Sequence, residues 1–170
     1  MRNKLILLIY FVATLTSFAC TCAAPVKLDS QRTEEIKKSK VIITGIVSKL
    51  DRNKQKFELK VTEIFKGNLK IDQDLIGQAI FSCVPFVDKN GEWLIYGNYE
   101  NGKLKINTCG LSRSLIHPEE NRHFIIPKPS PDLKVTEPNR QKLILENSIK
   151  EKQLAMKELK YELAELRRRK

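Results

Sequence analysis

Val41-Ile42-Ile43-Thr44-Gly45-Ile46-Val47 decides the fold of this 170-residue chain. The run reads as a buried strand, with Gly45 marking a bend. Phe57-Glu58-Leu59-Lys60-Val61-Thr62 then alternates apolar and polar residues with a period of two, so one of its faces is buried. After Val61 the phase shifts, because Ile64 and Phe65 are adjacent, and Lys66-Gly67-Asn68 ends the segment as a turn. A third strand is expected over Leu75 to Ser82. Asn90-Gly91 precedes Trp93-Leu94-Ile95-Tyr96, and Asn101-Gly102, a dipeptide favoured in tight hairpins, separates that run from Leu104-Lys105-Ile106-Asn107-Thr108. Five strands at this spacing predict a small closed barrel.

The flanks of the strand region read differently. Residues Gln31 to Ser39 look like a short helix leading into the first strand. Prolines at 127, 129, 131 and 138 favour an extended connection, so the globular part is expected to end near His123 to Ile125, with a link over 126–138. From Asn139 onward there is no proline or glycine, and good helix formers dominate. Thr136 or Glu137 is a plausible cap and Pro138 suits the first turn, which predicts one helix about 45 to 50 Å long. Leu145, Ile149, Met156, Leu159, Leu163 and Leu166 fall on a and d positions, with Lys152 interrupting the seam. Such a helix can self-associate as a coiled coil or dock on the barrel. Its closing Arg167-Arg168-Arg169-Lys170 suits the negative end of the helix dipole and gives a basic end that could meet a membrane surface.

At the other terminus, Arg2 and Lys4, the apolar run Leu5 to Val12, and Ser17-Phe18-Ala19 form the three parts of a secretory signal over 1–19. The apolar run is too short to span a bilayer. A cut after Ala19 makes Cys20 the first mature residue and frees its α-amine, whose unperturbed pKa is about 8 and which binds metal when deprotonated. About 150 residues remain, enough for one domain of ordinary size plus an appendage. The formal charge of +11 falls to about +9 once Arg2 and Lys4 leave with the signal, so the exported protein is strongly basic. Its lysines are spread along the chain without interleaved aromatic platforms, so nucleic acid is not the expected partner. All four cysteines, Cys20, Cys22, Cys83 and Cys109, lie in the exported part, where an even count usually means two disulfides. A C-x-C pair rarely bridges itself, so Cys20 and Cys22 each reach a distant partner, and two pairings remain open. A zinc site made of the four sulfurs lacks the usual C-x2-C knuckles. An enzyme reading finds no support: the two histidines, His117 and His123, belong to no H-E-x-x-H helix, and no nucleophile elbow is present.

In order, Cys20-Thr21-Cys22, the Val41 to Val47 strand, Phe57 through Gly67, Ser82-Cys83, and Trp93-Leu94-Ile95-Tyr96-Gly97 leading to Thr108-Cys109 resemble the inhibitory N-terminal domain of the tissue inhibitors of metalloproteinases. The resemblance covers about residues 20–115. It implies a mainly β fold, a five-stranded OB-like barrel of the netrin-module type with short flanking helices over 20–125. It also implies the pairings Cys20 to Cys83 and Cys22 to Cys109. In that family the mature N-terminal cysteine chelates the catalytic zinc of the target protease through its α-amine and carbonyl. By resemblance, then, Cys20 is the chelator, Thr21 enters the primed specificity pocket, and Cys22, Phe81 and Ser82 complete the contact surface. The implied partner is a zinc metalloprotease, and no cofactor of the chain's own is implied. The family's third cysteine pair in this domain and its disulfide-rich second domain are missing, and Pro25 sits one position late. Richness in lysine, isoleucine and asparagine points to a bacterial source. The alternative is a cell-envelope binding or scaffold protein, a stapled barrel on a helical stalk, anchored by lipid if Ser17-Phe18-Ala19-Cys20 is a lipoprotein signal.

Overall fold

A computed structural model of the chain describes residues 28–78, 87–120 and 137–170. Strands β1 (Val41–Asp51) and β2 (Lys56–Lys66) pair as one long antiparallel hairpin. Inward positions on β2 are Phe57, Leu59 and Val61, all fully buried, so the period-two alternation does select a face. The phase shift after Val61 is a pair of bulges: Gly45 faces Val61 and Thr44 faces Glu63, then Ile43 faces Ile64 and Ile42 faces Lys66. Thr62 and Phe65 are thereby left over, and the strand coils as bulged strands do. Gly45 has no room for a side chain, since a Cβ there would lie 2.5 Å from Leu59 Cδ2 and 2.7 Å from the Lys60 carbonyl oxygen.

β3 (Asp74–Gln78) adds to β2, and β4 (Gly91–Glu100) and β5 (Lys103–Ile106) form the second hairpin. Its turn is Asn101-Gly102, with φ of 52° and 72°, as the sequence requires. β5 lies parallel to β3 and β4 returns to β1, so the order β1-β2-β3-β5-β4-β1 closes a five-stranded barrel in which only the β3–β5 pairing is parallel. Closure removes the exposed edges of an open sheet. The barrel is OB-like and the chain is mainly β with flanking helices. A short strand not foreseen in the sequence, β6 (Arg113–Ser114), extends the sheet at Trp93 and Leu94 of β4. β4 is also longer than its apolar run, because Gly97 to Glu100 pair with β5.

Helix α1 (Leu28–Lys38) precedes β1 and helix α2 (Glu137–Arg168) closes the chain. α1 starts three residues before Gln31, and Glu137 and Pro138 of the expected link belong to α2. Two apolar clusters divide the core. One fills the barrel with Val41, Ile43, Val47, Phe57, Leu59, Val61, Leu75, Val87, Trp93, Ile95 and Leu104. The other lies outside it, where Ile42, Leu94, Tyr96 and Leu111 meet Leu159 and Leu166 of α2, flanked by Leu28 and Ile36 of α1. β1 and β4 are thus covered on both faces, which explains why Val41 to Ile43 and Trp93 to Tyr96 are continuous apolar runs.

The seat of α2 differs from an a/d seam. Ala155, Leu159, Glu162 and Leu166 form its buried line, while Leu163 is only partly covered. Residues 141–150 are all exposed, with Leu145 and Ile149 at 61% and 48%. The lower half of the helix docks on the barrel, as one of the two readings allowed, and its upper half faces solvent. No described helix is long and apolar enough to cross a membrane.

This division predicts unequal truncations. Leu159→Ala should lower the free energy of unfolding by about 2 to 4 kcal/mol through lost burial and a cavity, whereas Leu145→Ala should stay within about 0.5 kcal/mol. Urea midpoints check this, and equal losses would contradict the docked seat.

Candidate functional site

Of the residues singled out by sequence, Cys20, Thr21, Cys22, Phe81, Ser82 and Cys83 lie outside the described residues, as do the signal 1–19, His123 and the link over 126–136. Cys109 is described, and it is disulfide-bonded, with its partner outside the described residues. The site is therefore built from what holds Cys109.

Cys109 sits in the left-handed region at φ 55°, inside a turn from Asn107 to Leu111. A β-carbon in that region is crowded, so the conformation persists only where its neighbours impose it. Several bonds do so. Asn107 N–H donates to the Tyr96 carbonyl at 3.0 Å, and Gly110 N–H donates back to the Asn107 carbonyl at 3.2 Å. Asn107 Oδ1 accepts from Asn98 Nδ2 at 3.0 Å. Its Nδ2 donates to Glu35 Oε1 at 3.0 Å and to Ser39 Oγ at 2.8 Å, while Ser39 Oγ–H donates to the Glu35 carbonyl at 2.7 Å. Glu35, Ser39 and Asn107 are all buried, so this is a satisfied internal network rather than a solvated surface. Burial holds the Glu35 carboxyl above the usual carboxylate range, against the pull of Asn107, Lys38 and Leu111.

A second buried cluster lies beside it. Glu162 of α2 has no exposed surface. Its Oε1 accepts from the Tyr96 hydroxyl at 2.5 Å and its Oε2 accepts from Arg113 Nη2, with Arg32 Nε 3.4 Å away. Arg32 Nη1 also donates to the exposed Asp29 at 3.0 Å, and the Arg32 guanidinium stands 5.3 Å from the Tyr161 ring centroid. Burial, reinforced by the neighbouring Glu162 charge, pushes the Tyr96 hydroxyl far above its ordinary pKa, so it acts only as a donor. One residue each from α1, β4, β6 and α2 meets at this point.

His117 lies at the start of a turn closed by the Glu120 N–H on the His117 carbonyl at 3.3 Å. His117, Glu119 and Glu120 place ligand atoms within 4.8 Å of one another, but Lys89 already pairs with Glu120. Among the described residues this is the one grouping with metal-ligand chemistry. A depression of about 850 Å³ lies around the tip of the β1–β2 hairpin, where Lys49 pairs with Glu58 and Lys54 with Asp51.

Neither the models of known protein families nor the curated proteins contain a match to this chain. The geometry stands by itself. Sequence reasoning missed Arg32, Glu35, Asn107, Arg113 and Glu162. Only Glu162 carried a signal, as a charge placed three and four residues from Leu159 and Leu166 on one helical face.

Two outcomes follow. Glu162→Ala strands two buried guanidinium groups and should cost about 3 to 5 kcal/mol in thermal or urea unfolding. Glu35 binds its proton more tightly folded than unfolded, so its contribution to stability grows as pH falls through the folded pKa and is lost as pH rises. Compared with Glu35→Gln, the wild type should therefore gain stability between about pH 7 and about pH 4.5, read as diverging urea midpoints, and parallel curves would refute the assignment.

Proposed function

We propose that this chain is an exported metalloprotease-inhibitor-like protein whose mature amino terminus, beginning at Cys20, chelates the catalytic zinc of a target protease. The single observation that supports this most directly is a closed OB-like barrel with Cys109 bridged on a turn that is bonded to α1, the first described element after the amino-terminal segment. A catalytic zinc keeps one position open for water, and an amine nitrogen with a carbonyl oxygen at about 2.0 to 2.2 Å can replace that water as a pair. In this reading Thr21 occupies the neighbouring specificity pocket, Phe81 and Ser82 flank it, and Cys20 to Cys83 and Cys22 to Cys109 are the bridges. A segment fixed before docking loses less entropy on binding, which is what two bridges to a rigid barrel accomplish. The zinc belongs to the target, and the chain needs no cofactor of its own.

The exposed upper half of α2 favours a second reading. Leu145, Ile149 and Leu154 are each about half exposed or more, as suits a scaffold protein that self-associates along this helix or stands on it at the cell envelope. Lipid on Cys20 would block the amine and select that reading.

The test is the state of the first nitrogen. Protein beginning at Cys20 should block a zinc endopeptidase, and one added residue before Cys20 should weaken the block at least about 100-fold, because the chelating amine becomes an amide. Equal potency with and without the extension would overturn the mechanism, and intact mass would reveal a lipid.

A further inference from the structure

Burying a carboxylate costs more than burying an amide of the same shape, so the placement of Glu35 asks for a reason. Its carboxylate has two acceptor oxygens and no donor, which suits the Asn107 amide N–H that faces it. Asn107 Nδ2 reaches it from one side of Cys109, and Gly110 abuts it on the other, since a Cβ there would lie 2.4 Å from Glu35 Oε1 and 2.9 Å from the Asn107 carbonyl oxygen. The turn is thus wrapped against one side chain of another element, with the left-handed Cys109 at its centre. Barrel hydrogen bonds hold the two ends of the turn, Asn107 through the Tyr96 carbonyl and Asn98 and Ser112 through the Tyr96 backbone, and leave its middle to Glu35.

We propose that Glu35 is the positioning residue of the Cys109 bridge: by binding Asn107 and packing against Gly110 on either side of the cysteine, it sets the direction in which the sulfur leaves the barrel. On the inhibitor reading, in which Cys22 is the partner, the amino-terminal segment is then aimed by α1 as well as by the bridge itself. The consequence for protease binding rests on the inhibitor reading above, whereas the positioning of Cys109 does not. Charged neighbours do not supply the same hold: Lys38 lies on α1 itself, and Glu162 opposes the Glu35 charge from α2.

The test compares full-length mature wild type with Glu35→Ala, Glu35→Gln and Asn107→Ala, each checked for folding by hydrogen exchange at Leu94 and Leu104. Glu35→Ala should speed exchange at Gly110 and reduction of the Cys109 bridge by a small thiol by about tenfold or more, with barrel exchange unchanged. Glu35→Gln keeps an acceptor oxygen and should recover to within about threefold of wild type. Should Glu35→Ala fail to fold, Asn107→Ala takes its place with the same expected tenfold effect. Wild-type rates at Gly110 and the bridge, equal loosening of the barrel, or no rescue by Glu35→Gln would overturn the proposal. A parallel assay against a zinc endopeptidase separates the two claims: fast exchange in a protein whose wild type blocks nothing keeps the positioning role and sinks the inhibitor reading.

Discussion

Glu162 is enclosed by Tyr96 of β4, Arg113 of β6 and Arg32 of α1, and among the described residues this carboxylate is the point at which the barrel and both helices are joined by charge. Taking it and two guanidinium groups out of water costs several kcal/mol per ion, which mutual attraction repays only in good geometry. Both arginines keep an Nε without a hydrogen-bond partner, so the repayment is incomplete. What such a cluster supplies is registry. A helix seated by Leu159 and Leu166 alone could slide by one turn along an apolar face; a carboxylate that must meet a phenol and two guanidinium groups cannot.

The registry is transmitted to the other end of the chain. α1 presents Arg32 to Glu162 and, one turn later, Glu35 to the Cys109 turn. The same short helix therefore contacts the seat of α2 and the turn that carries the bridged Cys109. Here a docked helix covers the outer face of β1 and β4, where Ile42, Leu94 and Tyr96 would otherwise face water. Glu63 and Arg167 add a surface pair between β2 and the end of the helix at 2.8 Å, a contribution expected to be small next to the apolar seat.

The barrel was legible because its signals are local. Alternation at Phe57 to Val61 reports a buried face, the adjacent Ile64 and Phe65 report a bulge, and Asn101-Gly102 reports a turn, each within a few residues. The continuous run Trp93 to Tyr96 was legible as a strand but not as one covered on both sides, since an apolar residue does not say which neighbour buries it. The Cys109 turn was visible only as a cysteine. Its conformation is imposed by Glu35, 74 positions earlier in the numbering, and nothing near either residue records that separation.

By itself the sequence determined the five barrel strands in outline, the Asn101-Gly102 turn, their closure into a small barrel and the long terminal helix, because side-chain periodicity, glycine placement and helix propensity act over short distances. Tertiary structure alone decided that half of that helix lies on the barrel, that its buried line includes a charge, and that Glu35 holds the turn around Cys109. Those choices depend on which distant groups share a volume from which water is excluded, and charge pairing there is settled by three-dimensional proximity rather than by position along the chain.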